Sequence, residues 1–174
     1  MDLKYQNKVT KTIVYFIITA VAALIQNTAG LTIEIAGAKC FLLIPVCIIL
    51  GMGEDEFFAG MLGLFSGILW DLTSAAHLGF NAIFLCIVCY LSAMAVTYIV
   101  RDTFITAAVF SVMAIFIYSL LYWLFFIIIK GVNGAELTLF SFYIPCAVYT
   151  AIITPIVWFC AKPIKKKLTN KTII

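Results

Sequence analysis

Charged residues are scarce in this chain of 174 residues. Lysine, arginine, aspartate and glutamate together make up 11% of it, while 65% of the residues are hydrophobic. A soluble globular domain carries roughly 25% charged residues, because they must cover the surface that faces water. So few charges cannot cover such a surface, and the solvent around most of the chain is therefore predicted to be lipid.

Patterns that carry chemistry are sparse as well. The chain has one histidine, His77, no H-E-x-x-H sequence, and acidic residues only in loops or at the ends of apolar runs. Its six cysteines lie in apolar runs, and the C-x-x-C of Cys86 and Cys89 lacks a second pair of metal ligands. The net charge of +3 comes from terminal lysines and not from a basic stripe, which excludes a nucleic-acid partner. The sequence predicts no enzyme, no metal and no cofactor.

Long uncharged runs dominate what is present. They predict a single transmembrane domain over residues 1–174, with the fold of an all-α, polytopic six-helix transmembrane bundle. The approximate spans are 12–33, 36–53, 54–71, 79–100, 103–129 and 137–161. The second and third runs are short, so the alternative is a four-span chain with a re-entrant hairpin between Ala36 and Asp71.

Basic residues cluster at the two ends of the chain. Lysines precede the first predicted span, and a lysine-rich tail follows the last. Because cytoplasmic loops are enriched in lysine and arginine, both termini are predicted to be cytoplasmic, which requires an even number of spans. Attraction to anionic lipid explains the tail equally well.

Two further clusters lie near the ends of predicted spans. Gln26, Asn27 and Thr28 close the first span and predict contact with the outer interface, with a small-molecule site as the alternative. Five aromatic residues crowd the outer half of the fifth span and predict an interfacial belt or a lipid-facing surface: Tyr118, Tyr122, Trp123, Phe125 and Phe126.

The third predicted span carries a row of glycines that ends at a carboxylate. Gly60, Gly63, Gly67 and Asp71 follow each other at intervals of three, four and four, which places them on one stripe of a helix. Small residues let another helix approach closely, which favours packing against a span of the same chain. A docking surface for another membrane protein is the alternative. Asp71 is predicted to cap backbone amides of the next element and not to act in catalysis.

The segment from Gly60 to Ala82, GMLGLFSGILWDLTSAAHLGFNA, resembles the signature of the bacterial rod shape-determining protein MreD. It has spaced glycines, then a G-[LIF]-[LI]-x-D pattern, then an L-G-x-x-A turn. These features fall on Gly60, Gly63, Gly67, Leu69, Asp71, Leu78, Gly79 and Ala82, with Asn81 inside the turn. The remainder of the chain resembles the family loosely, and Trp70 departs from the aliphatic or small residue usual there.

This resemblance implies a non-enzymatic subunit of the cell-elongation (rod) complex in the bacterial inner membrane. Such a subunit would bind MreC, a bitopic membrane protein. It would help couple MreB filaments to peptidoglycan synthesis by a RodA-type glycosyltransferase and a class B penicillin-binding protein, and so to cell shape.

The implied fold is similar to the six-helix substrate-binding subunits of energy-coupling-factor transporters. That similarity supplies the alternative function, which is the capture of a small vitamin. A vitamin pocket needs polar groups that converge on an apolar cavity. The available groups are few: Gln26, Asn27, Asp71, His77 and Asn81.

Overall fold

The computed structural model describes residues 3–28, 40–74, 79–125 and 144–173. In these residues the chain forms six α-helices and no strand. The helices are α1 (Leu3–Asn27), α2 (Leu43–Gly51), α3 (Glu56–Ser74), α4 (Phe80–Tyr98), α5 (Phe104–Trp123) and α6 (Ile144–Ile173).

Four helices in the described part of the chain are long and apolar enough to cross a membrane. The segments concerned are Val9–Asn27, Phe80–Tyr98, Phe104–Trp123 and Pro145–Leu168. At about 1.5 Å of rise per residue, helices of this length match a hydrocarbon core of about 30 Å. The prediction of an all-α, polytopic membrane protein is confirmed.

Several helices depart from the predicted bounds. α1 begins at Leu3 and α6 continues to Ile173, so the described lysine-rich segments at both ends of the chain are helical. α2 covers only residues 43–51 of the predicted span 36–53, a length of about 13.5 Å. Gly53 follows it with a positive φ of 77°, a conformation that ends helices. Residues 29–39 lie outside the described part, so the number of crossings between 36 and 71 stays a prediction.

The short helix α2 lies at the centre of the bundle. All of its residues are buried, and it contacts each of the five other helices described. A helix that is apolar on every side is stable in a protein core or in lipid, and the contacts of α2 place it in the core. The segment LIPVCIILG carries no polar side chain except a thiol, which suits this position. The remaining helices therefore pack around α2.

Two ion pairs lie at one end of the bundle and connect four segments of the chain. Lys11 of α1 pairs with Glu54, which precedes α3, at 2.7 Å between Nζ and Oε1. Lys165 of α6 pairs with Asp102, which precedes α5, at 3.0 Å between Nζ and Oδ2. These four residues define the charged end. The first part of α1 and the last part of α6 thus lie at the same end.

The opposite end is marked by buried polar side chains and is called here the Asp71 end. Gln26 of α1 lies there beside the start of α2, and Tyr118 of α5 lies beside Asn81 at the start of α4. Since each helix runs between the two ends, successive helices alternate in direction. Which end faces the cytoplasm stays a prediction.

Candidate functional site

The glycine row of α3 faces α4. A Cβ atom added at Gly63 would lie 2.3 Å from the carbonyl oxygen of Leu85, and one added at Gly67 would lie 2.3 Å from the Cα of Ala82. Both distances are far below van der Waals contact, so only glycine fits at these two positions. Gly60 has more room, since the nearest atom to its added Cβ would lie 3.5 Å away. The row packs against a helix of the same chain, and α4 covers the surface that a partner would need.

Asp71 ends this row and caps the start of α4. The residue is 3% exposed, and its carboxylate accepts hydrogen bonds from three backbone amides. Gly79 N–H and Ala82 N–H donate to Oδ2 at 2.9 and 3.1 Å, and Asn81 N–H donates to Oδ1 at 3.3 Å. The first amides of a helix lack partners within the helix and carry partial positive charge, so a carboxylate there is stabilised. Asp71 therefore caps α4, as its position in the sequence suggests, and does not face water.

The turn that leads into α4 depends on a glycine. Gly79 has a φ of 94°, a conformation that other residues rarely adopt. This conformation turns the chain so that the first amides of α4 point back at α3. Of the other predicted turn residues, Asn81 and Ala82 lie in the first turn of α4. Leu78 and His77 lie outside the described residues.

Asn81 connects the cap to a cluster of aromatic rings. The Tyr118 hydroxyl donates to Asn81 Oδ1 at 2.9 Å, and the Tyr118 ring stacks on Trp70 with 5.2 Å between the ring centroids. Four more rings surround Tyr118, namely Phe41, Phe80, Phe84 and Tyr122. Tyr118 is 3% exposed, so the predicted interfacial belt is wrong for this residue. Its hydroxyl donates to a buried acceptor on α4, so it is satisfied without contact with the membrane interface.

Two polar side chains cap the start of α2 at the same end of the bundle. Gln26 Oε1 accepts the backbone N–H of Leu43 at 2.8 Å, and Thr150 Oγ1 accepts that of Phe41 at 3.0 Å. Both side chains are buried. Gln26 thus turns inward to the bundle, contrary to the predicted contact with the interface. In the sequence this role is marked by an amide inside an apolar run, which does not identify the backbone group that the amide caps.

Lys165 caps the other end of α2, at the charged end of the bundle. Its Nζ donates to the Ile49 carbonyl at 3.0 Å and to the Met52 carbonyl, and it pairs with Asp102. The last carbonyls of a helix lack partners and carry partial negative charge, so a cation stabilises them. α2 is therefore held at its start by Gln26 and at its end by Lys165.

Asp71, Cys86 and Cys89 are candidates for reactive groups on α3 and α4. Both oxygens of Asp71 accept backbone hydrogen bonds, and no group of three potential ligands is placed to hold a metal within the described ranges. Cys86 and Cys89 are free thiols on α4, and Cys89 is buried against α3, where a Cβ on Gly63 would lie 3.0 Å from it. The hydrogen bonds and ring contacts of this region fix α3, α4 and α5 relative to one another.

Comparison with known proteins gives a match to a protein family. A family model described as rod shape-determining protein MreD matches residues 6–166, which extend from α1 into α6. No curated protein and no solved structure matches the chain. The similarity to the substrate-binding subunits of energy-coupling-factor transporters therefore stays a prediction.

Proposed function

Because the chain belongs to the MreD family of rod shape-determining proteins, we propose that it is a non-enzymatic subunit of the bacterial cell-elongation complex in the inner membrane. In this role it binds an MreC-like bitopic protein and helps couple MreB filaments to peptidoglycan synthesis by a RodA-type glycosyltransferase and a class B penicillin-binding protein. The charged end, with both termini, faces the cytoplasm.

The extent of the family match carries this proposal. It covers the chain from residue 6 to residue 166, and every helix described lies wholly or largely within it. A role in rod shape determination is thus supported for the whole membrane domain and not for one motif alone.

The geometry of the Asp71 end supports a scaffold over a vitamin carrier. Three of the polar groups that a vitamin pocket would need are occupied within the chain. Asp71 accepts backbone amides of α4, the Asn81 carbonyl accepts the Tyr118 hydroxyl, and Gln26 accepts a backbone amide of α2. A ligand that used these groups would have to break hydrogen bonds that hold the bundle together. This observation favours a rigid structural unit.

The orientation of the chain has separate support. The basic residues Lys11 and Lys165 lie at the charged end, and the exposed Lys162, Lys166 and Lys167 lie close to Lys165 on the same helix. Excess lysine and arginine marks the cytoplasmic side of membrane proteins. A cytoplasmic charged end would also place the start of α1 and the end of α6 where MreB filaments can be reached.

Affinity purification tests the proposed partners. The tagged chain is isolated from native membranes in mild detergent, and the sample is divided between protein mass spectrometry and a native-mass scan for small ligands. We expect an MreC-like bitopic protein and cell-wall synthases to be enriched over a matched sample prepared with another tagged polytopic protein. A stoichiometric adduct of vitamin size, or an accompanying pair of coupling ATPases, would place the chain among transporters.

Depletion of the chain in its host tests the cellular role. A rod-shaped host is expected to become round as the protein is lost and to recover when the chain is expressed again. Cells that keep their shape and instead require an added vitamin would contradict the proposal.

A further inference from the structure

An apolar groove runs between α1 and α6, and α2 forms its floor. Its volume is about 320 Å³. Ile18 and Ile25 lie on the wall from α1, Ile153 and Cys160 on the wall from α6, and Val46 on the floor. Every side chain that lines it is aliphatic except the thiol of Cys160. Because α1 and α6 are two of the helices long and apolar enough to span the membrane, this groove opens towards lipid tails.

The groove covers about half of the membrane. On α6 it extends from Ile153 to Ile164, which corresponds to about 16.5 Å along the helix axis. One leaflet of the hydrocarbon core is about 15 Å thick, half of the whole core. The groove therefore has the length of one lipid tail, whereas a partner helix that crosses the membrane would need a surface about twice as long.

Both walls of the groove lead to a lysine at the charged end. On α1 the positions Ile25, Ile18 and Lys11 are each seven residues apart, and on α6 the positions Ile153, Cys160 and Lys167 have the same spacing. Seven residues bring a helix back to nearly the same face, with a drift of about 20°. Since α1 and α6 run in opposite directions, each row reaches its lysine on the same side of the membrane.

The charge at this end complements an anion. Lys11 is paired with Glu54, but Lys162, Lys166 and Lys167 are exposed on α6, and no ion pair among the described residues involves them. The acidic residues Asp55 and Glu56 lie at the start of α3, which does not line the groove. Lysine clusters next to membrane-spanning helices attract anionic lipid headgroups.

We propose that this groove binds one tail of an anionic phospholipid, with the lipid phosphate held by Lys167. The apolar lining selects a tail, the length of the groove matches one tail, and the lysine at the charged end selects the headgroup and, with it, the leaflet. The binding does not depend on the proposed partners, since it uses only side chains of this chain.

Competitive lipid binding tests the proposal. The full chain in detergent is equilibrated with equal amounts of phosphatidylglycerol and phosphatidylcholine that carry identical tails, and native mass spectrometry measures the bound ratio. We expect the wild-type chain to retain phosphatidylglycerol preferentially. Lys167→Gln should lower the ratio about five-fold, the effect of one lysine near a membrane surface. Lys166→Gln is the matched control, because Lys166 is exposed on the same helix but lies off the row.

A second variant tests the groove itself. Val21 lines the groove and is 48% exposed, so Val21→Trp should fill the groove without disturbing the core and should reduce retention of both lipids. Val109→Trp, at an exposed position on α5 outside the groove, is the control. Equal ratios in Lys167→Gln and Lys166→Gln would overturn the proposal, as would equal retention in Val21→Trp and Val109→Trp. If Val21→Trp instead loses a co-purifying bitopic protein and keeps its lipid, the groove binds a helix and the lipid proposal is wrong.

Discussion

At both ends of the bundle, side chains satisfy the unpaired backbone groups of helix ends, but the side chains and their surroundings differ. A helix end leaves backbone groups without partners, and inside a membrane each of these groups costs several kcal/mol. At the Asp71 end a buried carboxylate, Asp71, and a buried amide, Gln26, satisfy the first amides of α4 and α2. At the charged end Lys165 satisfies the last carbonyls of α2 while it also pairs with Asp102.

The difference between the ends lies in access to water. Asp71 is buried, with 3% of the residue exposed, whereas Asp102 is exposed. A charge-assisted hydrogen bond that is sheltered from water is worth more than an ion pair that water and salt can screen. The Asp71 end should therefore carry most of the polar contribution to stability, and the charged end should be tolerant of change. The variants below test this contrast in order of expected effect.

The largest effect is expected where α3 and α4 meet. Gly67→Ala places a methyl group 2.3 Å from the Ala82 backbone, and backbone cannot move aside as a flexible side chain can. Overpacking typically destabilises by about 1–3 kcal/mol, and because this clash is with backbone we expect a loss at or above the upper end of that range. Gly60→Ala is the matched control, because its new methyl group meets ordinary contact distances of 3.5 Å and longer. Free energies of unfolding in mixed micelles measure both. Equal stability of the two variants would show that α3 and α4 are not in close contact.

The next effect concerns the cap itself. Asp71→Asn keeps the size of the side chain but removes the charge and turns one acceptor into a donor that faces backbone amides. Hydrogen bonds to charged groups contribute about 1.5–3 kcal/mol, and we expect a loss of that order. Asp55→Asn is the control, because Asp55 is exposed just before α3 and the loss of its charge should change stability little. A loss of stability no greater in Asp71→Asn than in Asp55→Asn would contradict the cap.

The sequence predicts the contacts between α3 and α4 better than the contacts that hold α2. The spacing of Gly60, Gly63, Gly67 and Asp71 follows from local geometry, since residues three and four apart share a helix face, and the same local logic places a cap before α4. The roles of Gln26 and Lys165 depend on contacts between residues 17 and more than 100 positions apart in the chain. No local pattern records such contacts.

The central position of helix α2 is likewise not predictable from its sequence. Its apolar run predicts a buried helix, but a run of this kind reads alike as a short span, as a re-entrant segment or as a central helix. Only the packing of five other helices around it identifies it as the centre. Likewise, the composition of α5 predicts aromatic residues near an interface, and only the position of Asn81 on α4 reveals that Tyr118 is buried.

A smaller effect is expected within the aromatic cluster. Tyr118→Phe keeps the ring that stacks on Trp70 but leaves Asn81 Oδ1 without its hydroxyl donor. The net contribution of a hydrogen bond between neutral groups is about 1 kcal/mol, so the free energy of unfolding should fall by about that amount. Tyr98→Phe removes a hydroxyl from a side chain that is 73% exposed and serves as the control. If Tyr118→Phe matches this control, the hydroxyl does not contribute and the cluster acts through packing alone.

The smallest effect is expected at the charged end, and its dependence on salt identifies its origin. Asp102→Asn removes the ion pair with Lys165 but leaves the lysine bonded to the carbonyls of Ile49 and Met52. Partly exposed ion pairs contribute about 0–1 kcal/mol, and the loss should disappear as salt approaches about 1 M, where the screening length falls to about 3 Å. The loss in Asp71→Asn should persist at the same salt concentration, because water and ions do not reach that carboxylate. If Asp102→Asn were the more damaging of the two at every salt concentration, burial would not be what separates the two ends, and the dominant contribution would lie with Lys165 and the end of α2.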